Sequence, residues 1–183
     1  QTKINNNNNN EMNRDGSGLE NLTKPADNDG FPSWSPDGTK IAFHSQRLNN
    51  FDIVVVSANG SSMTKLSDGP SRDFYADWFP DGARLTYTSQ RDGNAEVYKM
   101  DGDGTDARNL TRHPADDYYG RVSPDGRRIV FTSDRDGNNE IYVMRSDGTG
   151  HTNLSLDDGN DAYPDWSPDG DWIVFTSDRS GSS

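Results

Sequence analysis

The most constraining feature of the sequence is a Pro-Asp-Gly turn that recurs four times at one fixed interval. The prolines of these turns lie 44 residues apart, at Pro36, Pro80, Pro124 and Pro168, and no insertion interrupts the interval. A fixed period in the forties with the same turn in every copy indicates a chain built from repeats of one supersecondary unit. The order of strands and turns within one period therefore predicts the fold of the whole chain.

Each repeat contains short extended segments separated by turns, and none has the periodicity and length of a helix. Tyr163–Ser167 is the first extended segment, and Trp172–Thr176, rich in β-branched and aromatic residues, is the second. One repeat earlier, Glu140–Met144 and the more polar His151–Ser155 complete the set. Four antiparallel strands per repeat are typical of a β-propeller blade, whereas a β-solenoid has shorter coils. We therefore predict an all-β propeller of four 44-residue repeats with the first strand innermost.

Each residue of the turn between the first two strands has a property that suits its position. Proline presets φ, aspartate bonds to the backbone ahead of it, and glycine accepts a positive φ. The residues predicted to form these structural turns are Pro36, Asp37, Gly38, Pro80, Asp81, Gly82, Pro124, Asp125, Gly126, Pro168, Asp169 and Gly170.

The phase of the repeats divides one blade between the N- and C-terminal parts of the sequence. Glu11-Met12 is in phase with Val143-Met144, so a third and a fourth strand precede the first complete repeat. A first and a second strand follow the last complete repeat. Three arrangements fit this phase: a four-bladed ring within one chain, a ring or filament in which neighbouring chains complete the split blade, or part of a propeller of roughly six to eight blades. Because no repeat carries an inserted loop, a structural role is favoured over a catalytic one.

The first residues of the chain differ in composition from the repeats. We divide the sequence into a segment 1–14, which holds an asparagine tract and the predicted third strand of the split blade, and a single propeller domain, 15–183. Asn9 and Asn10 fall where another repeat has Ile141 and Tyr142, and consecutive amides are poor strand formers. Either Asn5–Asn10 is a low-complexity tract that pairs as a strand, or these residues are not those of the natural protein.

The composition excludes several classes of partner. The net charge of −12 argues against nucleic acid, because phosphate binding requires clustered lysine and arginine. With 29% hydrophobic residues, the chain has no apolar stretch long enough to span a membrane, and no secretory leader is visible. The absence of cysteine excludes disulfides and thiolate metal sites, but it leaves carboxylate sites for a divalent cation.

Four aspartates occupy one position of the repeat, in the loop that enters the innermost strand. They are Asp29, Asp73, Asp117 and Asp161. In a propeller these carboxylates would ring one mouth of the channel, where a hard cation such as Ca²⁺ would find several oxygen ligands. The alternative is that each aspartate caps its loop or forms a structural ion pair with the repeated arginine, which is Arg47, Arg91, Arg135 or Arg179.

A second acidic pattern alternates along one loop, at Asp134, Asp136, Asn138 and Glu140. Alternating oxygen side chains are typical of a Ca²⁺ loop, but Gly137 does not match the glycine of an EF-hand, so the alternative is an ordinary hairpin turn. The sequence requires no cofactor, and Ca²⁺ is the only one that these two patterns suggest.

No catalytic constellation is recognisable in the sequence. The three histidines, His44, His113 and His151, do not share a phase of the repeat. There is no Gly-x-Ser-x-Gly nucleophile elbow, and no glycine-rich phosphate loop precedes a helix. We therefore predict that the chain is not an enzyme.

Three asparagines lie in Asn-x-Ser/Thr acceptor patterns on the predicted outermost strand. These candidate glycosylation sites are Asn21, Asn109 and Asn153. Because the outermost strand of a propeller is polar and exposed, the same pattern also arises without glycosylation.

The repeat resembles the TolB-type propeller repeat, also called the WD40-like or PD40 repeat. The resemblance rests on the run Tyr163–Gly170, on Ile173–Arg179 and on Glu140–Met144, and it extends from about Asp15 onward. It implies a non-catalytic scaffold for protein–protein interaction in an extracytoplasmic setting, periplasmic or secreted. One alternative is a structural subunit that self-assembles into an extracellular filament or ring through inter-subunit blade completion, with Ca²⁺ as a candidate ion. The other is the propeller domain of a peptidase or a lactonase-like enzyme.

Overall fold

All regular structure in the described part of the chain is β-strand. The computed structural model describes residues 9–23, 28–46 and 50–179. Within these ranges the strands form three four-stranded and two two-stranded antiparallel sheets. The all-β fold and the four-stranded antiparallel blade predicted from the repeat are therefore confirmed.

Three complete blades lie between two half-blades along the chain, and every sheet keeps its strands side by side in sequence order. The N-terminal half-blade consists of β1 (Asn10–Glu11) and β2 (Glu20–Asn21). The first blade consists of β3 (Asp29–Trp34), β4 (Lys40–Ser45), β5 (Asp52–Ser57) and β6 (Met63–Lys65). The second consists of β7 (Asp73–Trp78), β8 (Arg84–Ser89), β9 (Glu96–Asp101) and β10 (Arg108–Asn109). The third consists of β11 (Asp117–Val122), β12 (Arg128–Ser133), β13 (Glu140–Arg145) and β14 (Thr152–Asn153), and the C-terminal half-blade consists of β15 (Asp161–Trp166) and β16 (Ile173–Ser177).

The two half-blades contain different parts of the blade. In the second blade, the N–H of Val97 on β9 donates to Oγ1 of Thr111 at 3.0 Å. The N–H of Asn9 donates to Oγ1 of Thr23 at 3.1 Å in the same way, so β1 and β2 correspond to a third and a fourth strand. β15 and β16 pair as a first and a second strand. Within the described residues no pairing joins β1 to β16, and residues Asn5–Asn8 of the asparagine tract lie outside that part of the chain.

The hydrophobic cores lie between blades rather than inside them. The core between the second and third blades contains Phe79, Val97, Leu110, Val122, Ile129, Phe131, Tyr142 and Met144. The first strands of neighbouring blades also contact one another, since β7 touches both β3 and β11, and β11 touches β15. The first strand is thus nearest the axis, and each blade depends on its neighbours for burial.

Candidate functional site

The Pro-Asp-Gly turns adopt one geometry throughout the chain. In the third blade, Asp125 Oδ1 accepts hydrogen bonds from Ser123 Oγ at 2.6 Å and from the N–H of Arg127 at 3.0 Å. The turn glycines all have positive φ, at Gly38, Gly82, Gly126 and Gly170. Turns of adjacent blades also stack, because a Cβ on Gly126 would lie 3.6 Å from Cδ of Pro80. The Pro-Asp-Gly residues therefore form the predicted turns, and they also bring adjacent blades into contact.

Three aspartates of the innermost strands form ion pairs with arginines of their own blades. The pairs are Asp73–Arg91, Asp117–Arg135 and Asp161–Arg179. In the third blade, Nη2 of Arg135 donates to both carboxylate oxygens of Asp117, at 3.0 Å each. The same guanidinium lies over the ring of Tyr142, 4.5 Å from its centroid, which is a favourable cation–π geometry. The charge pair is therefore enclosed within the blade.

The four repeated aspartates are not gathered around a common point in the described residues. Each of the three paired carboxylates faces an arginine of its own blade, and no group of three or more His, Cys, Asp or Glu side chains in the described ranges is arranged to hold a metal ion. Asp29 occupies the equivalent buried position, and its predicted partner Arg47 lies outside the described residues. This geometry favours the ion-pair interpretation, and an axial Ca²⁺ site stays a prediction.

The alternating acidic loop of the third blade is held by internal hydrogen bonds. Asp136 accepts from the hydroxyl of Tyr142 and from Nδ2 of Asn153, and these bonds lower its pKa. The other three side chains, Asp134, Asn138 and Glu140, each bond to backbone groups of a neighbouring loop. The arrangement is that of a braced hairpin, which is the alternative to a Ca²⁺ loop.

Two of the three candidate glycosylation sites use their amide nitrogens as hydrogen-bond donors. Nδ2 of Asn109 donates to Asp92 at 2.7 Å, and Nδ2 of Asn153 donates to Asp136 at 2.8 Å. Asn21 instead accepts a bond from the N–H of Thr23 through Oδ1. Since a glycan is attached to the amide nitrogen, modification of the first two would disturb a bond that braces the outer strand. Glycosylation stays a prediction.

The largest feature that the sequence analysis did not predict is a row of aromatic rings along the innermost strands. The rings of Phe31, Tyr75, Tyr119 and Tyr163 come from consecutive blades, with centroids 4.7, 4.2 and 4.5 Å apart. All four residues have positive φ, between 53° and 59°, in a bulge where the pairing of the first two strands shifts register. Positive φ is uncommon for bulky residues. The available signal was an aromatic residue two positions after each repeated aspartate.

A buried histidine lies beside this row, and its environment predicts that the stability of the fold depends on pH. The ring of His44 packs against Phe31, Phe51, Phe74 and Tyr75, and burial lowers its pKa to about 4. The unfolded chain binds this proton more tightly, with a pKa of about 6.5. The contribution of neutral His44 is therefore complete above the unfolded pKa and is lost as the pH falls toward the folded pKa.

We expect the free energy of unfolding to fall by about 2 kcal/mol through this residue alone between pH 7.5 and pH 5. Urea unfolding at the two pH values measures the change. His44→Phe keeps an aromatic ring and removes the titration, so the variant should lose that part of the pH dependence. An unchanged pH dependence in the variant would contradict the prediction.

These observations first define a class of protein. Four-stranded antiparallel blades that repeat every 44 residues, with the first strand nearest the axis, are the architecture of a β-propeller. The family profile described as TolB beta propeller domain matches residues 16–126 and 118–183. The chain therefore belongs to the TolB β-propeller family, as the repeat predicted.

Solved structures agree with this assignment. TolB from Acinetobacter baumannii matches with a TM-score of 0.82 and 25% identity, covering 94% of this chain and 43% of that one. A putative TolB from Agrobacterium tumefaciens matches with a TM-score of 0.73 and 23% identity, covering 87% of this chain and 73% of that one. An oligogalacturonate lyase in complex with manganese shares the fold at a TM-score of 0.70 and 21% identity, covering 93% of this chain and 50% of the lyase.

This chain corresponds to only part of the solved TolB proteins that it matches. The present chain spans less than half the length of the Acinetobacter protein. No curated relative matches the sequence. In the described ranges no helix is long and apolar enough to cross a bilayer.

Proposed function

We propose that this chain is a non-catalytic scaffold that binds other proteins in an extracytoplasmic setting. The observation that carries the proposal is the exposure of large apolar side chains on both half-blades. They include Met12, Leu19, Trp172, Val174 and Phe175. Large apolar side chains exposed together on a half-blade are candidates for protein–protein contact. The setting rests on the family resemblance.

The proposal that the chain is non-catalytic is supported by the bonds that its charged side chains already form within the fold. The repeated Asp–Arg pairs and the acidic loop bond within their own blades or to neighbouring loops, where they stabilise the fold. The alternative is the propeller domain of a peptidase or a lactonase-like enzyme. Turnover of peptide or lactone substrates by the purified chain, abolished by Asp117→Asn with the fold intact, would contradict the proposal.

A second candidate function is self-assembly through completion of the split blade, as in a ring or filament. The specific observation is that β1–β2 and β15–β16 supply complementary pairs of strands. Addition of strands to an exposed sheet edge is an established mode of protein recognition. A contact between unlike surfaces of identical subunits produces closed rings or open filaments.

Light scattering on the purified chain, combined with negative-stain imaging, tests self-assembly. We expect species whose masses are multiples of 20.3 kDa, visible as rings or fibres. Parallel samples with Ca²⁺ and with a chelator test the predicted ion, because a structural Ca²⁺ would make assembly or thermal stability sensitive to chelation. A single species at the mass of one chain over a wide concentration range would contradict self-assembly. A scaffold for a different protein would still be compatible with that result.

A further inference from the structure

Apolar residues that are buried in complete blades are exposed at the equivalent positions of the half-blades. Met144 is 1% exposed, whereas Met12, at the same position of the repeat, is 67% exposed. Phe131 is completely buried, whereas its equivalent Phe175 on the C-terminal half-blade is 37% exposed. The two half-blades therefore each lack the part of the interface that the other half-blade contains.

A cavity marks the missing part beside the C-terminal half-blade. It has a volume of about 140 Å³ and is lined by Ile141, Leu154, Ser155, Ile173, Phe175 and Arg179. One repeat earlier, Tyr142 and Met144 on the third strand pack into the core that contains Leu110, Ile129 and Phe131. The position of Met144 corresponds to Met12 on the N-terminal half-blade. Met12 thus has the place in the repeat that fills this cavity.

A second groove marks the missing part beside the N-terminal half-blade. It has a volume of about 190 Å³, and its lining includes Leu22, Pro32, Trp34 and Ile41. One repeat later, Ala42 of the first blade fills the equivalent place, in a core with Leu66, Ala76, Trp78 and Leu85. The position of Ala42 corresponds to Val174 on β16, which is exposed. The two half-blades are therefore complementary in both directions.

We propose that β1 of one copy pairs antiparallel with β16 of a second copy, so that each split blade is completed between two chains. This inference rests on the self-assembly function proposed above and defines its interface. The observed pairing of β12 with β13 sets the register, since Ile129 lies opposite Met144 and Val130 opposite Val143. One repeat on, Ile173 of one copy lies opposite Met12 of the other, and Val174 opposite Glu11.

A second copy is the occupant because the two half-blades of one chain form separate sheets, three complete blades lie between them in chain order, and no pairing joins β1 to β16 in the described residues. A second copy presents the same pair of half-blades, so it can complete one edge and leave its own opposite edge open for a third copy. The contact is therefore heterologous and propagates as a ring or a filament.

A repeated glycine gives the register an independent check. A Cβ on Gly148 would lie 2.8 Å from the carbonyl oxygen of Leu110 in the preceding blade, and a Cβ on Gly104 would lie 2.5 Å from that of Leu66. Gly16 holds the same position in the N-terminal half-blade, but nothing lies within 4 Å of its Cβ position. Its partner by the repeat is Leu154, which follows β14 of the third blade and lines the cavity beside the C-terminal half-blade. Gly16 of one copy should therefore pack against the backbone of Leu154 of another.

Disulfide trapping tests the register directly, because the chain has no cysteine of its own. Glu11→Cys and Val174→Cys are purified separately and then mixed under mild oxidation. We expect a disulfide-linked dimer from the mixture, and none when Asn59→Cys, on a turn of the first blade, replaces either partner. A double variant, Glu11→Cys with Val174→Cys, that forms only an internal disulfide at one-chain mass would show closure within the chain and overturn the inference.

Gly16→Asn tests the interface without disturbing the isolated chain. Asparagine tolerates positive φ, and Gly16 has open space around it, so the variant should keep its thermal stability at low concentration. In the completed blade the new side chain would clash with Leu154, so we expect loss of the assembled species. Gly93→Asn is the matched control, since Gly93 also has positive φ and open space but lies in the second blade.

The outcomes separate this inference from the function on which it rests. Assembly that persists in Gly16→Asn, with no Glu11–Val174 disulfide, would overturn the proposed interface and leave self-assembly in place. A wild-type chain that stays at one-chain mass would overturn both. Loss of assembly in Gly16→Asn but not in Gly93→Asn, together with the mixed disulfide, supports the interface.

Discussion

Replacing Arg135 with alanine is expected to lower the free energy of unfolding by about 3–5 kcal/mol. Asp117 is fully buried and Arg135 only 10% exposed, so the substitution leaves a carboxylate in the protein interior without its counter-charge. The loss also removes the stacking of the guanidinium on Tyr142. Denaturant unfolding, followed by fluorescence and circular dichroism, measures the change.

The same substitution in the C-terminal half-blade is the matched control. Arg179 pairs with Asp161, which is fully buried like Asp117, but the Arg179 side chain itself is 36% exposed, so its removal should open the remaining carboxylate to water more readily than removal of Arg135 does. We expect Arg179→Ala to destabilise the chain clearly less than Arg135→Ala. If the two variants have equal effects, or if Arg135→Ala changes stability by less than about 1 kcal/mol, the surface range for ion pairs, the pair is not a main support of the blade.

The repeat made most of the blade predictable from the sequence. Because each strand and turn recurs at the same phase, the segment Glu140–Met144 predicted β13, which spans Glu140–Arg145. The predicted strand Trp172–Thr176 corresponds to β16, Ile173–Ser177. The fourth strand was predicted less well, since only Thr152–Asn153 of the predicted His151–Ser155 pairs with its neighbour. Outer strands of polar residues pair on one edge only, so few hydrogen bonds define their ends.

The chemistry of the repeated aspartates was less predictable than their position. A ring of carboxylates around a cation and a set of separate ion pairs need the same residues at the same spacing. What distinguishes them is the direction of each side chain, and in the structure Asp117 turns toward Arg135 of its own blade. The bulge that places Tyr75 and Tyr119 side by side depends on a register shift between strands. The pattern of hydrophobic residues along the sequence does not predict such a shift.

Replacing Phe131 with alanine is expected to lower the free energy of unfolding by about 3–5 kcal/mol. Its ring is completely buried between the second and third blades, so truncation removes apolar burial and leaves a cavity in a close-packed core. Phe175 occupies the same position of the repeat in the C-terminal half-blade, where its side chain is 37% exposed. At low protein concentration, Phe175→Ala should therefore cost about 1 kcal/mol, as for an ordinary partly exposed substitution.

The difference between these two variants depends on concentration if copies complete one another's blades. Phe175 lines the cavity that Met12 of a second copy is proposed to fill, so association would bury its ring as Phe131 is already buried. Because binding to the native state adds to stability by mass action, the cost of Phe175→Ala should rise with protein concentration while the cost of Phe131→Ala stays constant. Thermal unfolding of both variants and the wild type over a range of concentrations measures this. A constant difference at all concentrations would mean that the C-terminal half-blade is not a site of self-association, whatever other protein binds there.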